Sequence, residues 1–198
     1  QMDDIIETQI IRLARGSGID GLVAPRPIHK FSKYPTHVRP ILNFESNQIK
    51  KILSDHSVYW REDKSNLDQS IIRNNIRHSI IPRLKESMKR NIAEGASKSR
   101  QLLEEDSLCL DNIARDRFPD CYTLVSKINR EQFLNEDRAI IRRAIFYWLH
   151  KLNPGFVASS TLQENILNAL VGSDNGIKFS VGEKFIRMNK RLVWLEKG

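Results

Sequence analysis

Residues 60–82 constrain this chain more than any other stretch, because a polar loop there leads directly into a helix with a regular apolar face. The loop is rich in turn-forming residues, and three polar side chains can each cap the helix that follows: Asn66, Asp68 and Ser70. Beyond them an isoleucine recurs at every fourth position, at Ile72, Ile76 and Ile80. We therefore predict an amphipathic helix that carries these isoleucines on one face.

Arg73 and Arg77 lie four positions apart on this predicted helix and therefore share a face. Two neighbouring guanidinium groups repel each other unless an anion lies between or above them. From residue 70 to 100 the chain carries eight cationic and two anionic side chains, a net +6 out of +8 for the whole chain. Such a surface attracts phosphate. A solvated basic face without a ligand is the alternative, and charge alone does not distinguish the two.

The bulk composition is that of an ordinary folded protein, with 40% hydrophobic and 28% charged residues. The 198 residues are enough for one large domain or two small ones. No run of about 18 apolar residues is present, so we predict no membrane span and no membrane partner. A pI near 9.6 with 8% aromatic residues favours a nucleic-acid partner over an acidic protein.

Two cysteines, Cys109 and Cys121, are too few for a disulfide framework or a metal-binding cluster. We predict that both are buried, in a protein of the reducing cytoplasm. Gln1 is not an initiator methionine, and a helical pattern begins almost at once. We therefore expect the chain to begin within a larger protein.

Residues 3–14 predict an amphipathic helix whose first turns are acidic. Asp3, Asp4 and Glu7 either only interact with the helix dipole or also hold Mg²⁺ or a cationic substrate amine. Gly16 or Gly18 is expected to end this helix. By itself, the Gly-x-Gly sequence there is too short to identify a phosphate-binding loop.

The remaining pattern predicts a mainly helical protein with a minor amount of strand, in the α+β class. In the first half we expect an irregular loop at 25–36, a short strand at 37–42, and a helix from Ser46 to about 54 that buries Ile49, Ile52 and Leu53. A long helical region then runs to about 118, and Gly95 is the candidate position for a break in it. In the second half we expect a strand at 122–128, helices at 135–152 and 160–170, and a three-stranded antiparallel meander from 177 to 195.

Three sequence blocks, in order, resemble the bacterial tRNA(Ile)-lysidine synthetases, which belong to the ATP-pyrophosphatase (PP-loop) superfamily. The first is Asp3-Asp4-x-x-Glu7-Thr8 with Arg12-x-x-Arg15-Gly16-Ser17-Gly18 after it, and the second is Val38-Arg39-Pro40-Ile41-Leu42. The third and most specific is Trp60-Arg61-Glu62-Asp63-x-Ser65-Asn66 followed by Arg73-Asn74-x-Ile76-Arg77-His78-x-x-x-Pro82. The resemblance covers residues 1–84 well, and beyond them it rests on the pattern of helices and the terminal meander.

The resemblance implies two domains: the later part of an ATP-pyrophosphatase α/β domain at 1–84, and a helical tRNA-contacting domain with a small antiparallel sheet at 85–198. Ile5 departs from the glutamine that the family usually has after its paired aspartates. The family's Ser-Gly-Gly-x-Asp-Ser pyrophosphate loop would lie before Gln1. We therefore expect the isolated chain to bind tRNA without catalysis.

The resemblance also implies a reaction. ATP adenylates the C2 carbonyl oxygen of the wobble cytidine in an isoleucine tRNA with the anticodon CAU, and the amine of L-lysine then displaces AMP. The implied cofactors are ATP and Mg²⁺. The partners are this tRNA and lysine, and the sequence leaves the oligomeric state open, with a homodimer among the options.

The resemblance assigns candidate roles to individual residues. The catalytic candidates are Asp3, Asp4, Glu7, Arg73 and Arg77. The nucleotide-binding candidates are Arg12, Arg15, Gly16, Ser17, Gly18 and His78. Asp3 and Asp4 are also the candidate metal ligands. One of the acids would serve as the general base that frees the lysine amine, and the sequence does not say which.

Two other function classes stay open. One is a nucleic-acid-binding module that catalyses nothing, and the other is a helical DNA-binding regulator, which only the basic helix and the net charge suggest. The ligase hypothesis makes the sharper structural prediction, because it requires the paired acids near residue 4 and the paired arginines near residue 75 to meet in one crevice.

Overall fold

A computed structural model describes residues 1–29 and 35–198 and divides the chain into two compact units, Gln1–Ser107 and Leu108–Gly198. Helices dominate, accompanied by small antiparallel sheets, which confirms the predicted α+β class. The loop predicted at 25–36 lies partly outside the described residues. In the described part of the chain, no helix has both the length and the apolar character that crossing a membrane requires.

The first unit consists of short elements around one long helical stretch. In chain order they are α1 (Asp3–Ala14), α2 (Ile19–Leu22), β1 (Ile28–His29), β2 (His37–Val38), α3 (Ser46–Asp55), a 3₁₀ turn (Lys64–Leu67), α4 (Ile72–Asn75), a π-helical turn (Ile76–Ile80) and α5 (Ile81–Met88). The helix α6 (Ile92–Arg117) begins in this unit, and its last turns belong to the second.

Helix α1 has the predicted bounds and ends at Gly16, which has a φ of +71°. The amide of Gly16 donates to the carbonyl of Leu13 at 3.0 Å, and the amide of Ser17 donates to the carbonyl of Arg12 at 2.9 Å. This pair of bonds is a Schellman motif, which favours glycine at the left-handed position. Gly16 rather than Gly18 therefore terminates the helix.

The core of the first unit is a cluster of isoleucines where α1 packs against the 72–88 helical stretch. Its buried members are Ile6, Ile76, Ile81 and Ile92. The prediction of one apolar face is wrong for Ile72 and Ile80, which are 63% and 41% exposed. The π-helical turn explains the exposure of Ile80, because its extra residue rotates the following positions and places Ile81 on the buried face. Ile72 precedes this turn, at the first position of α4.

Several predicted elements of the first unit differ from the structure. The strand expected at 37–42 covers only His37–Val38, because residues 40–43 form a turn and Pro40 has no amide to donate to a ladder. Glu45 rather than Ser46 caps α3, through a capping box with Gln48. Helix α3 buries none of its residues fully, and Ile52 is exposed. The long helical region breaks at Lys89, which adopts the left-handed conformation, and not at Gly95.

The second unit packs two helices against a four-stranded antiparallel sheet. The helices are α7 (Arg138–Leu152) and α8 (Ser160–Val171), and the strands are β3 (Lys127–Asn129), β4 (Ile177–Val181), β5 (Lys184–Met188) and β6 (Leu192–Lys197). The strand order is β3-β6-β5-β4, so the predicted meander β4-β5-β6 is confirmed and β3 adds a fourth strand to it. The strand expected at 122–128 is shorter, because a 3₁₀ turn occupies Pro119–Tyr122.

Trp148 and Arg130 hold the second unit together from its interior. Trp148 is fully buried, and its indole Nε1 donates to the carbonyl of Val125 at 2.8 Å. Arg130 is 3% exposed and donates to five backbone carbonyls, those of Ala169, Leu170, Gly172, Asp174 and Asn189. It therefore satisfies the carbonyls at the end of α8 and joins them to the turn between β5 and β6.

The prediction that both cysteines are buried is correct for Cys121 and wrong for Cys109. Cys109 lies on an exposed face of α6, whereas Cys121 packs into the core of the second unit beside Phe118 and Phe133. Burial raises the pKa of the Cys121 thiol to about 12, with a smaller contribution from the carboxylate of Asp120.

Candidate active site

Glu7 is the centre of the candidate site. Its carboxylate has no solvent exposure and accepts hydrogen bonds from two arginines that lie far along the chain. Arg73 Nε donates to Oε2 at 2.7 Å, and Arg77 Nε donates to Oε1 at 2.6 Å. The anion that the sequence requires between the two guanidinium groups is thus a side chain of α1.

Asp4 completes the cluster one turn before Glu7. Its Oδ1 accepts from Arg73 Nη2 at 3.1 Å and from Arg77 Nη2 at 3.4 Å. Its Oδ2 accepts from the amino group of Gln1 at 3.0 Å. We call these four side chains the Asp4–Glu7–Arg73–Arg77 network. They bring two of the three acidic candidates, Asp4 and Glu7, into contact with the paired arginines, whereas Asp3 bonds to the amide of Ser46 instead.

Helix geometry explains why the network forms. Asp4 and Glu7 are three positions apart on α1 and therefore share a face, and Arg73 and Arg77 are four apart on the facing helical stretch. The hydrogen bond with Glu7 raises the pKa of Arg77, against the opposing effect of burial. Arg77 keeps 28% of its side-chain surface exposed, so the network is reachable from solvent.

A cavity of about 640 Å³ opens beside the network. Asp3, Glu7, Arg77 and His78 are among its lining residues. The cationic side chains in the lining are Lys50, Arg61, Arg77 and Lys85, and the acidic ones are Asp3, Glu7, Glu45, Glu62 and Asp63. A cavity that carries both signs of charge suits a phosphate-bearing ligand together with an amine.

The loop at 60–70 forms one wall of the cavity and is tied down by side chains of the following helical stretch. The amide nitrogen of Asn74 donates to the carbonyls of Ser65 at 2.8 Å and of Asp68 at 2.9 Å. His78 Nε2 donates to the carbonyl of Asn66 at 2.9 Å. These bonds hold the loop beside the network.

The same loop presents Trp60 at the rim of the cavity, with 43% of its side-chain surface exposed. Lys50 of α3 pairs with Glu62 at 2.6 Å, and hydrogen bonds from Lys50 and Trp60 lower the pKa of the Glu62 carboxyl. Asp63 accepts from the amide of Ser65 at 2.9 Å, which lowers the pKa of Asp63 as well. Turn chemistry therefore determines the shape of this wall.

Asp3 lies in the cavity wall, and its Oδ2 accepts from the amide of Ser46 at 3.0 Å, at the start of α3. Within residues 1–29 and 35–198, no group of three or more histidine, cysteine, aspartate or glutamate side chains could hold a metal ion. The metal site at Asp3 and Asp4 therefore stays a prediction, as do the catalytic roles of the network residues.

The candidate nucleotide-binding segment does not line this cavity. Among the described residues, the lining includes His78 but not Arg12, Arg15, Gly16, Ser17 or Gly18. Gly16 and Ser17 instead form the helix terminus described above. Gly21 lies so close to this turn that a β-carbon there would be 2.6 Å from the Cβ of Ser17. A nucleotide-binding role for this segment stays a prediction.

Sequence reasoning missed three residues of the site. The sequence marks Asn74 only as part of a motif, although its side chain holds the loop at 60–70. It marks Lys50 and Lys85 only through the positive charge that they add to the chain, although both line the cavity. The signal for Asn74 was its position between two candidate arginines in a block with fixed spacing. No sequence signal pointed to the lysines, because chain folding alone brings them to the cavity.

Comparisons with known proteins agree with the resemblance. Residues 1–84 match the family model of the PP-loop domain. The chain is 28% identical over 196 residues to the tRNA(Ile)-lysidine synthase of Vibrio parahaemolyticus, covering 98% of this chain and 44% of that protein. It is 31% identical over 195 residues to the protein of the same name from Nitrosomonas europaea, covering 96% of this chain and 42% of that protein. It is 29% identical over 203 residues to the tRNA(Ile)-lysidine synthase of Buchnera aphidicola, covering 99% of this chain and 45% of that protein. The chain thus spans less than half the length of these relatives.

Proposed function

We propose, from homology to tRNA(Ile)-lysidine synthases along nearly the whole chain and from its PP-loop domain match, that this protein acts in an ATP-dependent, tRNA-modifying ligase. Its substrates would be ATP, L-lysine and an isoleucine tRNA, and its product the tRNA in which lysine is joined to C2 of the wobble cytidine. Residues 1–84 would belong to the catalytic domain and residues 85–198 to the tRNA-binding domain.

The observation that carries this proposal is the Asp4–Glu7–Arg73–Arg77 network beside an open cavity. Its two halves come from separate motifs, 66 positions apart in the case of Arg73 and Glu7, and they meet in hydrogen bonds of 2.6 to 3.4 Å. A purely structural ion-pair cluster would not need a charged, solvent-accessible cavity next to it. Because the network lies beside such a cavity, it supports a reaction in which negative charge develops on the substrate.

The network suggests a division of labour between its members. Glu7 is buried with both oxygens engaged, so we assign it as a positioning residue that holds the two guanidinium groups beside each other. Arg77 lines the cavity and is the group placed to stabilise the developing charge. The backbone amide of Ser46 donates to one oxygen of Asp3, and Asp3 lines the same cavity, so we assign Asp3 as the residue that would receive the lysine ammonium.

The donor groups fit the proposed cofactors in part. Lys50, Arg61 and Lys85 supply positive charge for the phosphates of ATP. Asp3 could provide one oxygen to Mg²⁺, which usually takes only one or two protein carboxylates and completes its shell with water and phosphate. Asp4 fits less well, because its Oδ1 already accepts hydrogen bonds from Arg73 and Arg77. Bound Mg²⁺ would neutralise phosphate charge.

A kinetic assay with labelled ATP, lysine and tRNA(Ile) tests the proposal on the full-length protein. Arg77→Ala should lower kcat by about 30- to 1,000-fold, the loss expected when a charge-stabilising donor is removed. Arg83→Ala is the matched control, since it removes an exposed arginine of the same helical stretch outside the cavity. Equal kcat values for the two variants at saturating tRNA would contradict a role for the network in the reaction.

A nucleic-acid-binding module without catalysis is the second candidate. The observation in its favour is the net charge of +6 at 70–100, on residues that are mostly exposed. Binding of tRNA without turnover by the full-length protein would support this candidate. Preference for duplex DNA over tRNA at matched salt would instead favour a DNA-binding regulator.

The ligase proposal also includes a cytoplasmic location and a homodimer. Cell fractionation tests the location, and light scattering tests the oligomeric state.

A further inference from the structure

The four-stranded sheet of the second unit presents a row of three cations and a tryptophan across one face. The strand register places Lys127 opposite Trp194, Trp194 opposite Arg187, and Arg187 opposite Lys178. We call this the Lys127–Trp194–Arg187–Lys178 row. Because neighbouring strands lie about 4.8 Å apart, the row spans about 14 Å.

The row lies on the outer face of the sheet. Residues next to it in the chain point the other way, and Ile128, Val193 and Met188 are buried in the core of the second unit. Successive side chains of a strand point to opposite faces, so the row faces solvent. Lys127 and Lys178 are exposed, and Trp194 and Arg187 are half-buried.

A second aromatic ring lies beside the row. The Nζ of Lys178 lies 3.6 Å from the centroid of the Phe185 ring, a cation–π contact that holds this ammonium near the sheet. Glu196 lies opposite Phe185 and pairs with Arg187. The row and its neighbour Glu196 therefore carry three positive charges and one negative charge, around one half-buried indole.

We propose that the Lys127–Trp194–Arg187–Lys178 row binds an unpaired strand of RNA. The half-exposed indole of Trp194 on this sheet face can stack against an unpaired base, whereas the bases inside a duplex are already stacked on each other. Lysines on both sides of the indole can contact the phosphates that flank the stacked base. The proposal rests on the proposed function, since a tRNA supplies such unpaired segments in its loops and at its 3′ end.

Charge complementarity selects this occupant over others. A protein partner or a second copy of the chain would favour an apolar patch that buries aromatic and aliphatic groups. Here the two outer positions of the row are lysines, the residue type that protein interfaces disfavour. Lysines that flank an aromatic ring are instead typical of surfaces that follow a nucleic-acid backbone.

The experiment measures binding of the full-length protein to tRNA(Ile), to a short unpaired RNA oligonucleotide and to the same oligonucleotide in a duplex. Trp194→Ala should weaken binding of the unpaired RNA about 5- to 150-fold, as expected for the loss of one stacked base. Trp194→Phe keeps an aromatic face and should retain most of the affinity. Lys127→Gln combined with Lys178→Gln should reduce the slope of log K against log salt by about 1.4, since each lysine that contacts a phosphate contributes about 0.7.

The matched control is Lys190→Gln combined with Lys197→Gln, which removes the same charge from the same unit at exposed positions outside the row. Its salt slope should stay within the error of the wild type. Should Trp194→Ala prove unfolded by circular dichroism, the lysine pair and its control decide the question.

The outcomes separate this inference from the proposed function. Unchanged binding by a folded Trp194→Ala variant, or equal effects of the lysine pair and its control, would overturn the inference while leaving lysidine synthesis untouched. Equal loss of affinity for the duplex and the unpaired strand would also overturn it, because stacking requires unpaired bases. Failure of the wild-type protein to bind tRNA(Ile) at all would instead refute the proposed function.

Discussion

Arg77 Nε donates a hydrogen bond of 2.6 Å to Oε1 of the fully buried Glu7, which lies 70 positions earlier in the chain. Arg73 occupies the other carboxylate oxygen. A buried carboxylate costs free energy unless cations and hydrogen bonds compensate it, so Glu7 and the two arginines depend on one another. The arginines of the candidate site are therefore part of the fold as well as accessible to a substrate.

Arg77→Ala should lower the free energy of unfolding by about 2 kcal/mol, because Glu7 would lose one of its two cationic partners in a buried position. From the sequence alone, solvent-facing arginines would be expected to change stability little. Urea denaturation measures the difference. Arg83→Ala, on an exposed position of the same helical stretch, should stay within about 0.5 kcal/mol of the wild type. Equal stability of the two variants would show that Glu7 does not need Arg77.

If the full-length protein is the ligase proposed above, Asn74→Asp in that protein should lower kcat/KM for tRNA about 10- to 100-fold while preserving the size of the side chain. The substitution removes the amide donor that holds the carbonyls of Ser65 and Asp68, so the loop that forms the cavity wall would shift. Steady-state kinetics with varied tRNA measures the effect. Asn75→Asp makes the same chemical change at the exposed neighbouring position and should behave as the wild type. Identical kinetics for both variants would argue against a positioning role for Asn74.

Arg130→Lys should reduce the free energy of unfolding by about 3 kcal/mol. A lysine keeps the charge but cannot reach five carbonyls with its single ammonium, so buried backbone acceptors at the end of α8 would lose their donors. Thermal or urea unfolding provides the measurement. Arg191→Lys is the control, because Arg191 is exposed and uses its backbone amide for its hydrogen bond. A loss below about 1 kcal/mol would mean that water replaces the guanidinium.

The stability of the second unit should fall between pH 9 and pH 12. Burial raises the pKa of Cys121 from 9.0 and the pKa of Tyr122 from 10.0, both to about 12. Well below pH 9 both groups are protonated in the folded and the unfolded state, so they do not change stability. Above that pH the unfolded state loses these protons first, and the free energy of unfolding falls until the folded pKa is reached. Urea titrations across this pH range measure the slope.

Two variants test this pH dependence. Tyr122→Phe and Cys121→Ala should each reduce the fall in unfolding free energy with pH, whereas Tyr59→Phe should leave it unchanged because Tyr59 is 99% exposed.

Iodoacetamide at pH 8 should alkylate the exposed Cys109 in the folded protein and spare Cys121, whose thiolate fraction would be about one in 10⁴. Rapid labelling of both thiols without denaturant would contradict the burial of Cys121.

Local patterns in the sequence were enough to predict most of the elements. Helix α1 has its predicted bounds, and the β4-β5-β6 meander lies where alternating side chains and turn residues indicated it. The same patterns failed at the π-helical turn of Ile76–Ile80 and at the break at Lys89. Neither feature has a strong local signal, since isoleucine and lysine are compatible with an uninterrupted helix.

The amino-acid sequence alone determined that Arg73 and Arg77 share a helix face and that the first turns of α1 are acidic, because helical periodicity is a local property. Motif spacing also determined the family resemblance. Only the tertiary structure decided that Glu7 lies between the guanidinium groups, that Lys50 and Lys85 reach the cavity, and that Lys127, Trp194, Arg187 and Lys178 form one row. Those relationships join residues distant along the chain, and they arise from packing and strand register rather than from any pattern of neighbouring residues.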